Sequence, residues 1–340
     1  MQYLHLTFFF FLLNFISNEK ATKSFTDVTN KADGAETANL ILQSKDGGQT
    51  WQDISSGLPD GGEPEGFFAG ESDLYVRIKN QTYHSESNLK TPAWEKEATL
   101  DPRCTSFSFS QSGVTALSPD GYIYRRKRSS QSWLPIYTDL KSHSVQTVFE
   151  AADGSVFLST GRSLSKSTDK GQTWKLVQKG AVADIVESDG VLLATGQSGI
   201  MRSTDRGEHW DWVISDGGVG IALERINGGF AAITYSSSTE SRRIHISMDS
   251  GKTWKAIDGG LPPSASISSI KQVGGFLLCG HPDGIMRSSD MGTTWQTVHR
   301  GASNVIKLTA WNKISNSDRK VFKIYTTGTV LYAVAVKWGC

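Results

Sequence analysis

Five segments of the chain repeat one pattern that ends in tryptophan: QSKDGGQTW at Trp51, KSTDKGQTW at Trp174, RSTDRGEHW at Trp210, ISMDSGKTW at Trp254 and RSSDMGTTW at Trp295. All fit Ser-x-Asp-x-Gly-x-[Thr/His]-Trp. Two further segments, HSESNLKTPAW at Trp94 and RRKRSSQSW at Trp133, keep the tryptophan and lose the aspartate pattern. Successive tryptophans lie 43, 39, 41, 36, 44 and 41 residues apart, which divides the chain into seven units of like length. Periods of this size mark repeat architectures, in which one unit cannot bury its own apolar face and must stack on its neighbours.

Within a unit, short apolar runs alternate with Gly- and Asp-rich turns. The clearest is Asp184–Glu187, a turn at Ser188-Asp189-Gly190, Val191–Thr195, a turn through Gly196 to Gly199, Ile200–Arg202, the motif, and Asp211–Ile214. Four short strands joined by tight turns make a propeller blade. No stretch sustains a 3.6-residue apolar period, so helical layers are not expected. The fold class is therefore all-β, a seven-bladed propeller with four-stranded antiparallel blades.

The motif has a local physical meaning. Between the third and fourth strands, the Asp carboxylate can accept bonds from turn N–H groups while Gly takes a positive φ. Ser and Thr add side-chain bonds to the backbone, and the Trp ring can fill the gap between blades. Asp46, Asp169, Asp205, Asp249 and Asp290, with Trp51, Trp174, Trp210, Trp254 and Trp295, are thus read as structural. These segments resemble the Asp-box (BNR) repeat from about Ser44 to Val298. The resemblance implies a propeller of the kind found in sialidases and other glycoside hydrolases, sortilin-type receptors and photosystem II assembly factors, and leaves activity open.

The ends suggest how the ring closes. One strand before and one after the first motif belong to its blade, whereas extended runs at Asn304–Trp311, Lys320–Tyr325 and Val330–Lys337 follow the last. The C-terminal runs are expected to supply the inner strands of the blade that holds Trp51, which would leave no free edge. The apolar run Leu6–Ile16 is too short to span a bilayer and fits a secretory signal. The expected divisions are a signal peptide at 1–17, an N-terminal segment at 18–37 and one propeller domain at 38–340. An extracytoplasmic monomer without a membrane span follows from that reading.

Lysines and arginines number 35 against 34 acids, so no global charge recruits nucleic acid. The one basic run, Arg125–Arg128, reads as a solvated hairpin. Cys104, Cys279 and Cys340 are too widely spaced for a metal site or a disulfide framework, and no cofactor motif occurs.

Because turns after the first and third strands share one face, the opposite face is where a ligand would be met. Candidate residues there are Glu65, Arg103, His143, Arg162, Asp184, Arg242, Arg243 and His281, with Asp101 and Asp283 beside them. Converging charges near a propeller axis suit a protein or glycan ligand. A sialidase would place an arginine in an Arg-[Ile/Val]-Pro context, which is absent, and a paired-carboxylate glycosidase needs two acids across the bond to be cut. A non-catalytic binding propeller is the first reading, and a glycoside hydrolase the alternative.

Overall fold

Every unit's four runs pair as antiparallel neighbours in the computed structural model, which describes residues 41–110, 113–127, 130, 132–136, 145–215, 217–300 and 320–337. Seven four-stranded sheets result, a seven-bladed β-propeller. Six blades are continuous in sequence: blade 1 (64–96), blade 2 (106–136), blade 3 (145–179), blade 4 (185–214), blade 5 (220–256) and blade 6 (269–300). Blade 7 is composite. Its inner strands are Lys320–Thr327 and Val330–Lys337, and its outer strands are Ile41–Ser44 and Gln52–Asp53. The seam pairs Ile41 with Val334 and Ser44 with Leu331, so the two ends of the described chain close the ring as the sequence implies. The third C-terminal run, Asn304–Trp311, lies outside the described residues, as do 1–40 and Cys340.

The core sits between blades. Seven apolar clusters fill the seven gaps, and each receives one of the seven periodic tryptophans from the following blade. Trp94 and Trp133, whose units lost the aspartate pattern, are buried outright. Tyr75 stacks on Phe107 with ring centroids 4.6 Å apart, joining blades 1 and 2 through the densest aromatic cluster.

The repeated turn is a closed set of hydrogen bonds. In the first copy Ser44 Oγ donates to Asp46 Oδ1 at 2.8 Å and accepts from Gly48 N at 2.9 Å. The carboxylate also accepts from the N–H groups of Gln49 and Thr50 and, at 2.6 Å, from the Thr50 hydroxyl. Asp205 receives His209 Nδ1 at 2.6 Å in place of a threonine hydroxyl, which explains why His is tolerated there. The turn glycines have positive φ, and so do the residues before them: Lys170 at 64°, Arg206 at 61°, Ser250 at 61° and Met291 at 55°. Four side-chain-bearing residues thus hold a left-handed conformation that the carboxylate network must support.

These bonds lower the carboxylate pKa values. The Thr173 and Thr294 hydroxyls lead in holding Asp169 and Asp290 down to about 2. For Asp46 and Asp205 burial is the largest single influence and acts upward, but the donated bonds together outweigh it. A carboxylate with a depressed folded pKa contributes stability in full above its unfolded value of about 3.9 and loses it as pH falls. Urea midpoints are therefore expected to drop between about pH 4 and pH 2. The drop should be shallower in Asp290→Asn, which is also the less stable protein at pH 7.

The basic run differs from its expected solvated hairpin. Arg126 is buried, hydrogen-bonds Asp73 of blade 1, and lies over the rings of Tyr75 and Trp133. Arg125 reaches Glu150 of blade 3 at 3.4 Å. The two arginines alternate along one strand, so each faces a different neighbouring blade.

Candidate functional site

The aspartate turns join third to fourth strands, so the opposite face carries the second-to-third-strand hairpins and the connections between blades. Most candidate charges placed there are already matched. Glu65, at the start of blade 1, accepts Arg77 Nε at 2.8 Å and Asn80 N at 2.9 Å. Arg77 is buried and spends its other donors on the carbonyls of Pro102 at 2.6 Å and Cys104 at 2.7 Å and on Asn80 Oδ1. Glu65 is thus a partner in a structural clamp on the connection between blades 1 and 2.

Arg103 lies over the Tyr122 ring and pairs with Asp101 at 2.6 Å and Asp120 at 2.7 Å. Its guanidinium leads in pulling Asp101 down to about 2, with help from the Tyr124 hydroxyl. Arg243 pairs with Asp258 at 2.6 Å. His281 is buried; its Nδ1 accepts from Asp283 N at 3.1 Å, so Nε2 carries the proton and donates to the Pro262 carbonyl at 3.0 Å. Burial lowers its pKa and keeps the ring neutral as a brace for the long connection between blades 5 and 6.

Asp184 immediately precedes the first strand of blade 4, Ile185–Ser188. One of its oxygens accepts Leu223 N at 2.9 Å, tying blade 4 to the inner strand of blade 5, Gly220–Ile226. Burial raises its pKa, opposed by that bond and by the charges of Lys271 and Lys323. Glu224, on the same inner strand, is raised as well, by burial first, and is ion-paired to Lys271 of blade 6. Asp184, Glu224, Lys271 and Lys323 occupy successive blades on one side of the ring axis. Glu224 and Lys271 were not foreseen, although each stands in the first apolar run of its unit, where a charge has to face the axis.

Two arginines differ from the rest. Arg162 is exposed on the hairpin of blade 3, and its side chain has no partner among the described residues. Arg242 is half-buried in blade 5; among the described residues its side chain donates only through Nη1, to the Ile267 carbonyl at 2.8 Å, and its buried Nε has no partner. Among the described residues no carboxylate acts on it, and burial lowers its pKa. Hydroxyls crowd the neighbouring turns, with Ser236 bonded to Ser238 at 3.0 Å and Thr239 to Ser241 at 2.8 Å. His143 lies outside the described residues.

The predicted arginines are thus spread over the connection between blades 1 and 2 and over blades 3 and 5, and Arg103 and Arg243 are neutralised by acids. Trp212 is 43% exposed, but the end of its ring packs against Gly196. Among the described residues no group of His, Cys, Asp or Glu could hold a metal ion, and no helix is long and apolar enough to cross a membrane.

No protein-family profile matches the chain, and no curated protein matches its sequence. Its fold is similar to several solved structures. YCF48 bound to D1 peptide aligns with a TM-score of 0.53 at 18% identity, over 71% of this chain and 82% of that one. The GH74 xyloglucanase from Xanthomonas campestris gives 0.55 at 15% identity, over 74% of this chain and only 50% of the longer enzyme. A catalytically inactive virginiamycin B lyase from Staphylococcus aureus with quinupristin gives 0.56 at 12% identity, over 81% of this chain and 95% of the lyase. At these identities the likeness is one of fold.

Proposed function

We propose that the chain is a non-catalytic, extracytoplasmic, monomeric propeller of the Asp-box kind that binds an acidic protein or glycan ligand on the face opposite the aspartate turns. The observation that carries this is Arg242, a half-buried guanidinium that has no carboxylate partner and an unused buried N–H among the described residues, set among hydroxyl-rich turns. Burying such a charge unpaired is unfavourable unless something anionic completes it. Arg162 adds a second unmatched cation on the same face. YCF48, a propeller of similar fold, was solved with a bound peptide, and the apolar run Leu6–Ile16 supports export.

The test is retention of wild-type and Arg242→Gln protein on arrayed peptides with free carboxyl termini and on neutral and uronic-acid glycans. Acidic members should retain the wild type, and the variant should bind them at least about tenfold more weakly, roughly 1.4 kcal/mol. Equal retention of the two proteins, or none above a bovine serum albumin control, would overturn the reading. Unchanged thermal midpoints would show that the loss is local.

One observation favours a glycoside hydrolase as the second reading. Asp184 and Glu224 both have raised pKa values, by burial first, and the charge of Asp184 adds to the rise at Glu224, as in an acid pair of a glycosidase. Against it, each is already bound, Asp184 to Leu223 N and Glu224 to Lys271. No turnover of aryl glycosides or xyloglucan oligosaccharides is expected. Hydrolysis abolished in a folded Asp184→Asn variant would make the hydrolase the leading reading.

A further inference from the structure

Between blades 2 and 3 lies a cavity of about 20 Å³ with Thr115, Arg125, Val148, Val156, Lys170 and Trp174 in its wall. Two buried donors without a partner, Arg125 Nε and Trp174 Nε1, belong to this one wall. The tryptophan departs from its repeat. In three other copies the indole N–H closes on the turn's own glycine carbonyl: Trp51 on Gly48 at 3.1 Å, Trp210 on Gly207 at 3.1 Å and Trp254 on Gly251 at 3.2 Å. Orphaned buried donors are rare in native proteins and point to a bound water or ion.

We propose that this cavity is a binding site for one monovalent inorganic anion, chloride in ordinary media, which ties blade 2 to blade 3. Its size suits a single small particle, since about 10–15 Å³ of such space holds one water. Its chemistry suits an anion. The wall contains a guanidinium N–H and an indole N–H, both donors only, and among the described residues it includes Lys170 and no carboxylate. The nearest acid contact of Arg125 runs from Nη2 to Glu150 at 3.4 Å; Glu150 also accepts Ser110 Oγ at 3.0 Å and is not part of the wall. A water would need acceptors for its two hydrogens, and among the described residues the wall's side chains offer only the Thr115 hydroxyl, beside the backbone of Gly171. The rest of the wall is made by Ile123, Ile136, Val148 and Val156 and by the backbone of Gly171.

Two measurements test the proposal together. Crystals soaked in sodium bromide should show an anomalous peak within hydrogen-bond reach of both nitrogens. Thermal midpoints at constant ionic strength should rise as chloride replaces gluconate, because a ligand bound only to the folded state stabilises it by mass action. In Trp174→Phe, which keeps an aromatic ring and removes the indole N–H, the chloride concentration giving half the rise should increase about tenfold, or roughly 1.4 kcal/mol. Should that variant fail to fold, the wild-type bromide map decides alone. A cavity occupied by water with no bromide peak, or midpoints identical in the two salts, would overturn the assignment.

Discussion

A Gly280→Ala chain is expected to lose more than about 4 kcal/mol of stability and to be recovered mainly as unfolded or aggregated material. A β-carbon at this position would stand 1.7 Å from the Phe322 carbonyl oxygen and 2.3 Å from Ser268 Oγ. Neither side has room to yield. Gly280 pairs with both Ser269 and Ile285 inside blade 6, and Phe322 pairs with Ala335 inside blade 7. The two blades are also stitched together there, since Ser268 Oγ donates to the Phe322 carbonyl at 2.6 Å and Ile324 N donates to Ser269 Oγ at 2.8 Å. The extra methyl would therefore force apart the joint by which the closing blade is held. Gly275→Ala, where the added carbon meets nothing within 4 Å, should change the urea midpoint hardly at all. A Gly280→Ala protein as stable as the Gly275→Ala control would show that the ring can open and reclose around this contact.

The second large effect is expected at Arg77. Its replacement by alanine strips partners from Glu65, from the carbonyls of Pro102 and Cys104, and from Asn80, and should cost about 3–5 kcal/mol. Lysine should recover less than half of that, because one ammonium cannot reproduce a planar fork reaching four groups. The loss should be largest in amide protection across residues 97–105, the connection that the guanidinium clamps. If Arg77→Lys matches the wild type in chemical denaturation, the clamp is held by charge alone and its geometry is unimportant.

The sequence made the architecture legible because each blade repeats the same chemistry. A tryptophan every forty residues or so and a carboxylate in the same turn are local signals, and the gap that each ring fills follows from the stacking of units. The site was less legible because its charges are matched across blades. Glu65 looked available until Arg77, on the neighbouring strand, was found to hold it. Arg125 and Arg126 looked solvated, although their acids are Glu150 and Asp73, on the blades to either side. Arg242 carried a readable hint, since the Ser/Thr-rich run Ser236–Ser241 and Ser264–Ser269 around it contain a single acid, Glu240. Nothing in the chain announced that Trp174 would leave the pattern of Trp51, Trp210 and Trp254.

Blade 7 has a temporal consequence. Its outer strands are the first of the described residues to emerge during synthesis, and its inner strands are the last. At about 5–20 residues per second, the Ile41–Ser44 strand waits on the order of 15–60 s for Val330–Lys337. For that interval the strand Ile41–Ser44, buried in the closed ring, and the flank of blade 1, including Phe67 and Leu74, lack the surfaces that later bury them. Unpaired strands of this kind recruit other chains. The slow event in maturation is then the docking of the last two strands, a contact between the most distant parts of the described chain, and a nascent chain stalled before Lys320 would present that sticky flank to whatever holdase is nearest.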